Sequence, residues 1–129
     1  MDYKTMSYGR KLNFKSNTQF ETALNATISR NLIPNTAVSQ TVIDNYRPFV
    51  RFHFENRNST VTIRLCIDGQ ALGDNTIQFS KREWYIQPLT AIDILPEEDN
   101  LQFTRVAIVN THASTNTSNN DLIWDIANY

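Results

Sequence analysis

Cysteine is almost absent from the 129 residues, with Cys66 standing alone. No intrachain disulfide can form, and a zinc site built from several thiolates is excluded. The expected place for Cys66 is a small, semi-buried strand position. Charge of one sign is lacking as well: twelve Lys and Arg face thirteen Asp and Glu, for a formal net charge of −1. A chain so balanced has no field to draw in a polyanion, so nucleic acid is not an expected partner. No run approaches the roughly 18 apolar residues of a membrane span, which sets the membrane aside. The polar start over residues 1–15 lacks the apolar centre of a signal peptide. Either the chain is cytoplasmic from the outset or a leader has been removed, leaving it extracellular or at a cell surface. There is no Gly-rich phosphate loop, GxSxG or HExxH, so nothing supports nucleotide or metal-dependent hydrolysis, and no cofactor is expected.

Glycine contributes only three residues, while Asn and Thr contribute 15 and 14. That composition reads as a β domain whose turns are rich in Asn, the residue expected to take left-handed backbone angles where Gly is missing. The hydrophobic pattern agrees. Val61, Ile63, Leu65 and Ile67 alternate with Thr62, Arg64, Cys66 and Asp68, which predicts a strand over 60–68 with one face in the core. Val50, Phe52 and Phe54 alternate with Phe49, Arg51 and His53, and Glu55 to Ser59 connects the two runs, a spacing that predicts a hairpin. Further β runs are expected at 75–79 (with Ile77 and Phe79 on one face), at Trp84 to Ile86 and at Ala91 to Leu95. The run from Leu101 to Val109 turns apolar on both faces and is expected to be covered on both. A Ser, Thr and Asn loop at 111–120 precedes a short terminal strand at 122–126. The fold class is all-β: a single antiparallel β-sandwich, jelly-roll-like, with an N-terminal extension.

Residues 1–36 are expected as an N-terminal arm and 37–129 as the sandwich. Leu12 and Phe14 make a small alternating run. Phe20, Leu24, Ile28 and Leu32 fit a helical period, with Thr18 and Glu21 as a capping box, and fit a strand period nearly as well. Strand is preferred in a chain that is otherwise β.

No catalytic residue is expected. Glu97, Glu98 and Asp99 are the only dense carboxylate run, and without the alternating oxygen donors of a calcium loop they read as a solvated turn rather than a metal site. His53 and His112 are the only imidazoles. His53 could approach Cys66 across the expected hairpin, but no orienting group is marked out and a half-exposed strand histidine is the commoner case. Trp84, Tyr85 and Trp124 could form an aromatic platform for a sugar; the competing reading puts both tryptophans in the core. Sequons at Asn25, Asn58 and Asn116 are no more than this composition produces by chance.

The order VIDNYRPFVRFHFENRNSTVTIRLCI (42–67), WYIQP (84–88) and LQFTRVAIVN (101–110) resembles a small β-sandwich domain of unknown function found in spore-forming Firmicutes. In that family an aspartate and a tyrosine-type residue lead into an aromatic strand, an Asn-containing turn and a VTIxLxI strand. It closes with an aromatic, Arg and an apolar strand, here Phe103-Thr104-Arg105-Val106-Ala107. More loosely, an arm followed by a jelly roll resembles the subunits of endospore appendage fibres, which polymerise by lodging an arm in a neighbour. Those subunits carry arm cysteines that cross-link the fibre, and residues 1–40 here have none.

The expectation is a non-catalytic structural subunit that assembles with itself into a fibre or surface layer, by arm or strand exchange through Leu12, Phe14, Phe20, Leu24 and Ile28. A carbohydrate-binding module using Trp84, Tyr85 or Trp124 is one alternative, and a virion structural protein is another.

Overall fold

A computed structural model describes residues 15–16, 20–34, 40–74, 76–96 and 101–128. The strands are β1 (Lys15–Ser16), β2 (Phe20–Thr22), β3 (Ser29–Ile33), β4 (Arg51–Asn56), β5 (Ile63–Ile67), β6 (Gln70–Ala71), β7 (Ile77–Gln78), β8 (Arg82–Ile86), β9 (Thr90–Ile94), β10 (Val106–Asn110) and β11 (Leu122–Asn128). One helical turn, α1 (Gln40–Asp44), lies between β3 and β4. Among the described residues no helix is long and apolar enough to cross a membrane.

Strand β11 pairs with β1 near its end and with β2 near its start, so these two behave as one interrupted strand. The first sheet then runs β1/β2-β11-β4-β9 and the second β3-β10-β5-β8, with all pairings antiparallel. Apart from β1 to β2 and β5 to β8, which each stay in one sheet, successive strands of the two sheets cross from one to the other in the order of a jelly roll, the fold class expected. Phe52, Phe54, Trp124 and Ile126 point inward from the first sheet to meet Ile63, Leu65, Ile67, Val106 and Ile108 from the second, and all are buried. Phe52 lies 5.6 Å from Trp124 and 5.3 Å from Phe103 between ring centroids.

The segment expected as an arm supplies part of this sandwich. Phe20–Thr22 pairs with β11 and Ser29–Ile33 pairs with β10, so the helical reading of 18–32 fails over the described residues and the boundary at 36 does not separate an arm from a domain. Leu24, Leu32 and Ile33 are fully inside the core. The expected hairpin between 49–54 and 60–68 is also not formed. Strand β4 pairs with β11 and β9, and β5 with β10 and β8, so the connection carries the chain from one sheet to the other. Each strand has one apolar face, and facing each other across the core buries both, which side-by-side pairing does not require.

Asn56 makes that crossing. Its buried amide donates to the carbonyls of Val61 at 2.7 Å and Ile86 at 3.1 Å, while its Oδ1 accepts from Asn58 N–H at 3.1 Å. Asn58 Oδ1 in turn accepts from the N–H groups of Thr60 and Val61, both at 2.8 Å. Asn110 ties the other loops at this end, donating to Leu24 and Thr115 carbonyls at 3.0 and 2.9 Å. Asparagine therefore serves the turns through its side-chain amide. The left-handed positions expected of it fall instead to Thr27, Asp68, Phe79, Leu89 and Phe103 among the described residues.

The run expected as one strand over 101–109 is strand only from Val106, because Phe103 turns at φ 56°. As expected, β10 is buried on both faces. Its outer side faces the small β6–β7 hairpin, which is held there by Ala71 N–H donating to Asn31 Oδ1 at 2.9 Å and Gly73 N–H to Ser29 Oγ at 3.0 Å.

Candidate functional site: the outer face and open flank of the first sheet

The residues that alternate with the core positions of β4 form an ionic row. Arg51, His53 and Glu55 stand on the outer face of the first sheet, beside Asp93 of β9 and Asp125 of β11. His53 Nδ1 is 2.7 Å from Asp93 Oδ1 and Nε2 is 3.1 Å from Glu55 Oε1. Two carboxylates can both be satisfied only by a ring that donates from both nitrogens, the imidazolium form. Partial burial works against that charge, but the hydrogen bonds to Glu55 and Asp93 together with the charges of Asp93 and Asp125 outweigh it, and the pKa is raised above 6.5. Arg51 holds the nearly buried Asp125 at 3.0 Å and lies 3.9 Å from Asp93. Arg57 pairs with the second oxygen of Glu55 at 2.8 Å, and these bonds hold the Glu55 carboxyl below its usual range.

Such a ring has no lone pair for proton abstraction or for a metal. Nor does it meet Cys66. With β4 and β5 in different sheets, His53 lies outside the first sheet and Cys66 outside the second, so the approach expected across a hairpin does not occur. The thiol is buried, and burial pushes it up to about 11, leaving it protonated at neutral pH. His112 does a turn's work: its Nδ1 accepts from Ser114 and Thr115 N–H at 3.1 and 2.9 Å. Among the described residues no group of three or more His, Cys, Asp and Glu is arranged to hold a metal ion. Glu97, Glu98 and Asp99 lie outside the described residues.

The aromatic platform does not assemble. Trp124 is buried in the first sheet, Trp84 points inward at the edge of the second opposite Leu65 and carries Arg82 over its ring at 4.7 Å, and Tyr85 projects from the opposite face. Of the proposed assembly residues, Phe20 lies 4.4 Å from Trp124, Leu24 is buried with its N–H donating to Thr117 Oγ1 at 2.8 Å, and Ile28 packs against the core. Leu12 and Phe14 lie outside the described residues.

What the sequence reading missed is the flank where both sheets end. Among the described residues, strand β9 pairs only with β4 and β8 only with β5, so each has one edge with no described strand beside it. Edge strands are ordinarily guarded by lysine, an internal proline or a bulge. Strand β9 has none of these: its register from Phe52↔Ile94 to Asn56↔Thr90 is unbroken. Its one charge, Asp93, is turned onto the outer face toward His53. Beside it Leu89 is 70% exposed, and Ala91, Leu95 and Tyr85 of β8 are also exposed. Pro88 and Pro96 bracket the strand, and Pro88, which cannot donate to a ladder, marks an edge or a strand end from the sequence alone. No family model, curated protein or solved structure matches this chain, so its own geometry has to indicate its role.

Proposed function

We propose that the chain is a non-catalytic structural subunit that assembles with copies of itself, joining along the flank where β8 and β9 end the two sheets. The observation that carries this reading is the unguarded edge of β9, a regular strand with no second strand beside it among the described residues, between the exposed side chains of Leu89 and Leu95. A second copy can add its own edge there, gaining main-chain hydrogen bonds and covering apolar surface that a monomer leaves in water. The joint lies in the flank rather than in an exchanged arm. Exchange of residues 20–33 would first strip β2 from β11 and β3 from β10, uncovering Leu24, Leu32 and Ile33.

Light scattering on the eluting protein over a rising concentration series tests this. The wild-type mass should climb above 14.9 kDa with concentration. A Leu89→Lys, Ala91→Lys variant, which places two charges along an already exposed edge, should remain monomeric with an unchanged circular dichroism spectrum. A wild-type chain that stays monomeric up to its solubility limit would overturn the proposal.

A further inference from the structure

At the end of the sandwich beyond β5, Phe79 leaves 77% of its surface in water. It does so at φ 59°, a left-handed conformation that is costly for a bulky side chain. The surroundings hold it there. Lys81 N–H donates to the Ile67 carbonyl at 3.0 Å, and the Phe79 carbonyl lies against Gly69, where an added Cβ would come within 2.6 Å of it. On the other side Asp68, itself at φ 58°, donates its N–H to the Arg105 carbonyl at 2.8 Å. Asp68 Oδ1 accepts from Thr104 N–H at 2.9 Å. The last turn of β5 thus clamps two loops, one presenting Phe79 and Lys81, the other Thr104 and Arg105.

Between them is an open depression of about 390 Å³ lined by Asp68, Phe79, Lys81, Gln102, Thr104 and Arg105, within the size range of small-ligand sites. Lys81 and Arg105 are exposed, and neither enters an ion pair among the described residues. Gln102 also borders a second depression of about 440 Å³, bounded by Arg47, Pro48, Phe49, Pro96 and Leu101.

We propose that these two depressions bind a carboxylate-bearing oligosaccharide, with one sugar ring stacked on Phe79 and its carboxylate held by Lys81 and Arg105. A strained, exposed phenyl ring offers a flat apolar surface without a hydroxyl, matched to the C–H face of a pyranose. The guanidinium and ammonium groups supply charge-assisted hydrogen bonds to a carboxylate, and Gln102 and Thr104 can serve sugar hydroxyls. The two cations are partly offset by Asp68, and the chain as a whole carries a net charge of −1. That balance suits one or two carboxylates and gives no basic track for a nucleic acid backbone. The neighbouring depression extends the site to a second ring.

Two-dimensional amide NMR titration with tetragalacturonate, its methyl ester and a short oligothymidylate tests the proposal. Tetragalacturonate should shift the amides of Phe79, Lys81, Gln102 and Arg105. Phe79→Gly should weaken binding about tenfold or more while keeping or raising the melting temperature, because glycine accepts positive φ without strain. Lys81→Gln with Arg105→Gln should remove the preference for acid over ester. The proposal is overturned if tetragalacturonate shifts none of these amides, if the ester binds as tightly as the acid, if Phe79→Gly binds like wild type, or if oligothymidylate binds more tightly than the saccharide.

Discussion

The ring of Phe20 lies 4.4 Å from that of Trp124, joining the first part of the chain to the strand at its other end. Trp124 is buried, and Phe20 is among the side chains that cover it. Phe20→Ala should therefore cost about 2–4 kcal/mol, below or within the range for a fully buried phenylalanine because Phe20 is only partly covered. Deleting residues 1–34 removes β1, β2 and β3 and uncovers one side of β11 and of β10. The truncated chain should aggregate or lose its β signal in circular dichroism. If it folds like the full chain, the segment is a dispensable arm after all.

Asn56 occupies a fully buried position and bonds to two carbonyls from different parts of the chain. Asn56→Ala leaves the Val61 and Ile86 carbonyls without that donor, and each buried unsatisfied group costs about 1–3 kcal/mol. A loss of at least about 2 kcal/mol in urea unfolding is expected. Asn56→Asp should be no better tolerated, since a carboxylate cannot donate to either carbonyl. A change within about 0.5 kcal/mol would show that the loop finds other partners.

How far the fold could be read beforehand depends on the range of the forces that set it. The strand at Ile63, Leu65 and Ile67 was legible because alternation is local and its inward face is indeed buried. The two-sided burial of Val106 to Val109 was legible for the same reason. Pairing was not: whether 51–56 lies beside 63–67 or across the core from it is decided by β9, β10 and β11, far away in sequence. The segment 20–33 carried a pattern that fitted two periods, and only its distant partners β11 and β10 choose between them. Phe79 misled in another way, since the run over 75–79 put it on one face with Ile77. Positive φ at Phe79 turns it outward, and no local motif announces it.

His53 makes stability depend on pH in a stated direction. Its folded pKa lies above the value of 6.5 that applies to an unfolded chain. The protonated ring is therefore favoured in the folded state, and its contribution is fully present below pH 6.5 and is lost as pH rises through the folded pKa. The melting-temperature difference between wild type and His53→Gln should shrink on going from pH 6 to pH 9, as checked by paired thermal scans. A difference that grows with pH would mean that the ring is neutral in the fold.

Assembly through the β9 edge is most directly tested by hydrogen exchange of the backbone amides of residues 90–94, followed by mass spectrometry or NMR at low and high protein concentration. In the dilute monomer, the amides that face away from β4 should exchange quickly, as unpaired edge groups do. At concentrations where the mass has risen, the same amides should become protected, while those of β4, β5, β10 and β11, already paired within the chain, keep their rates. Equal exchange of the β9 amides at both concentrations, in a sample that has demonstrably assembled, would contradict this account of how copies of the chain join.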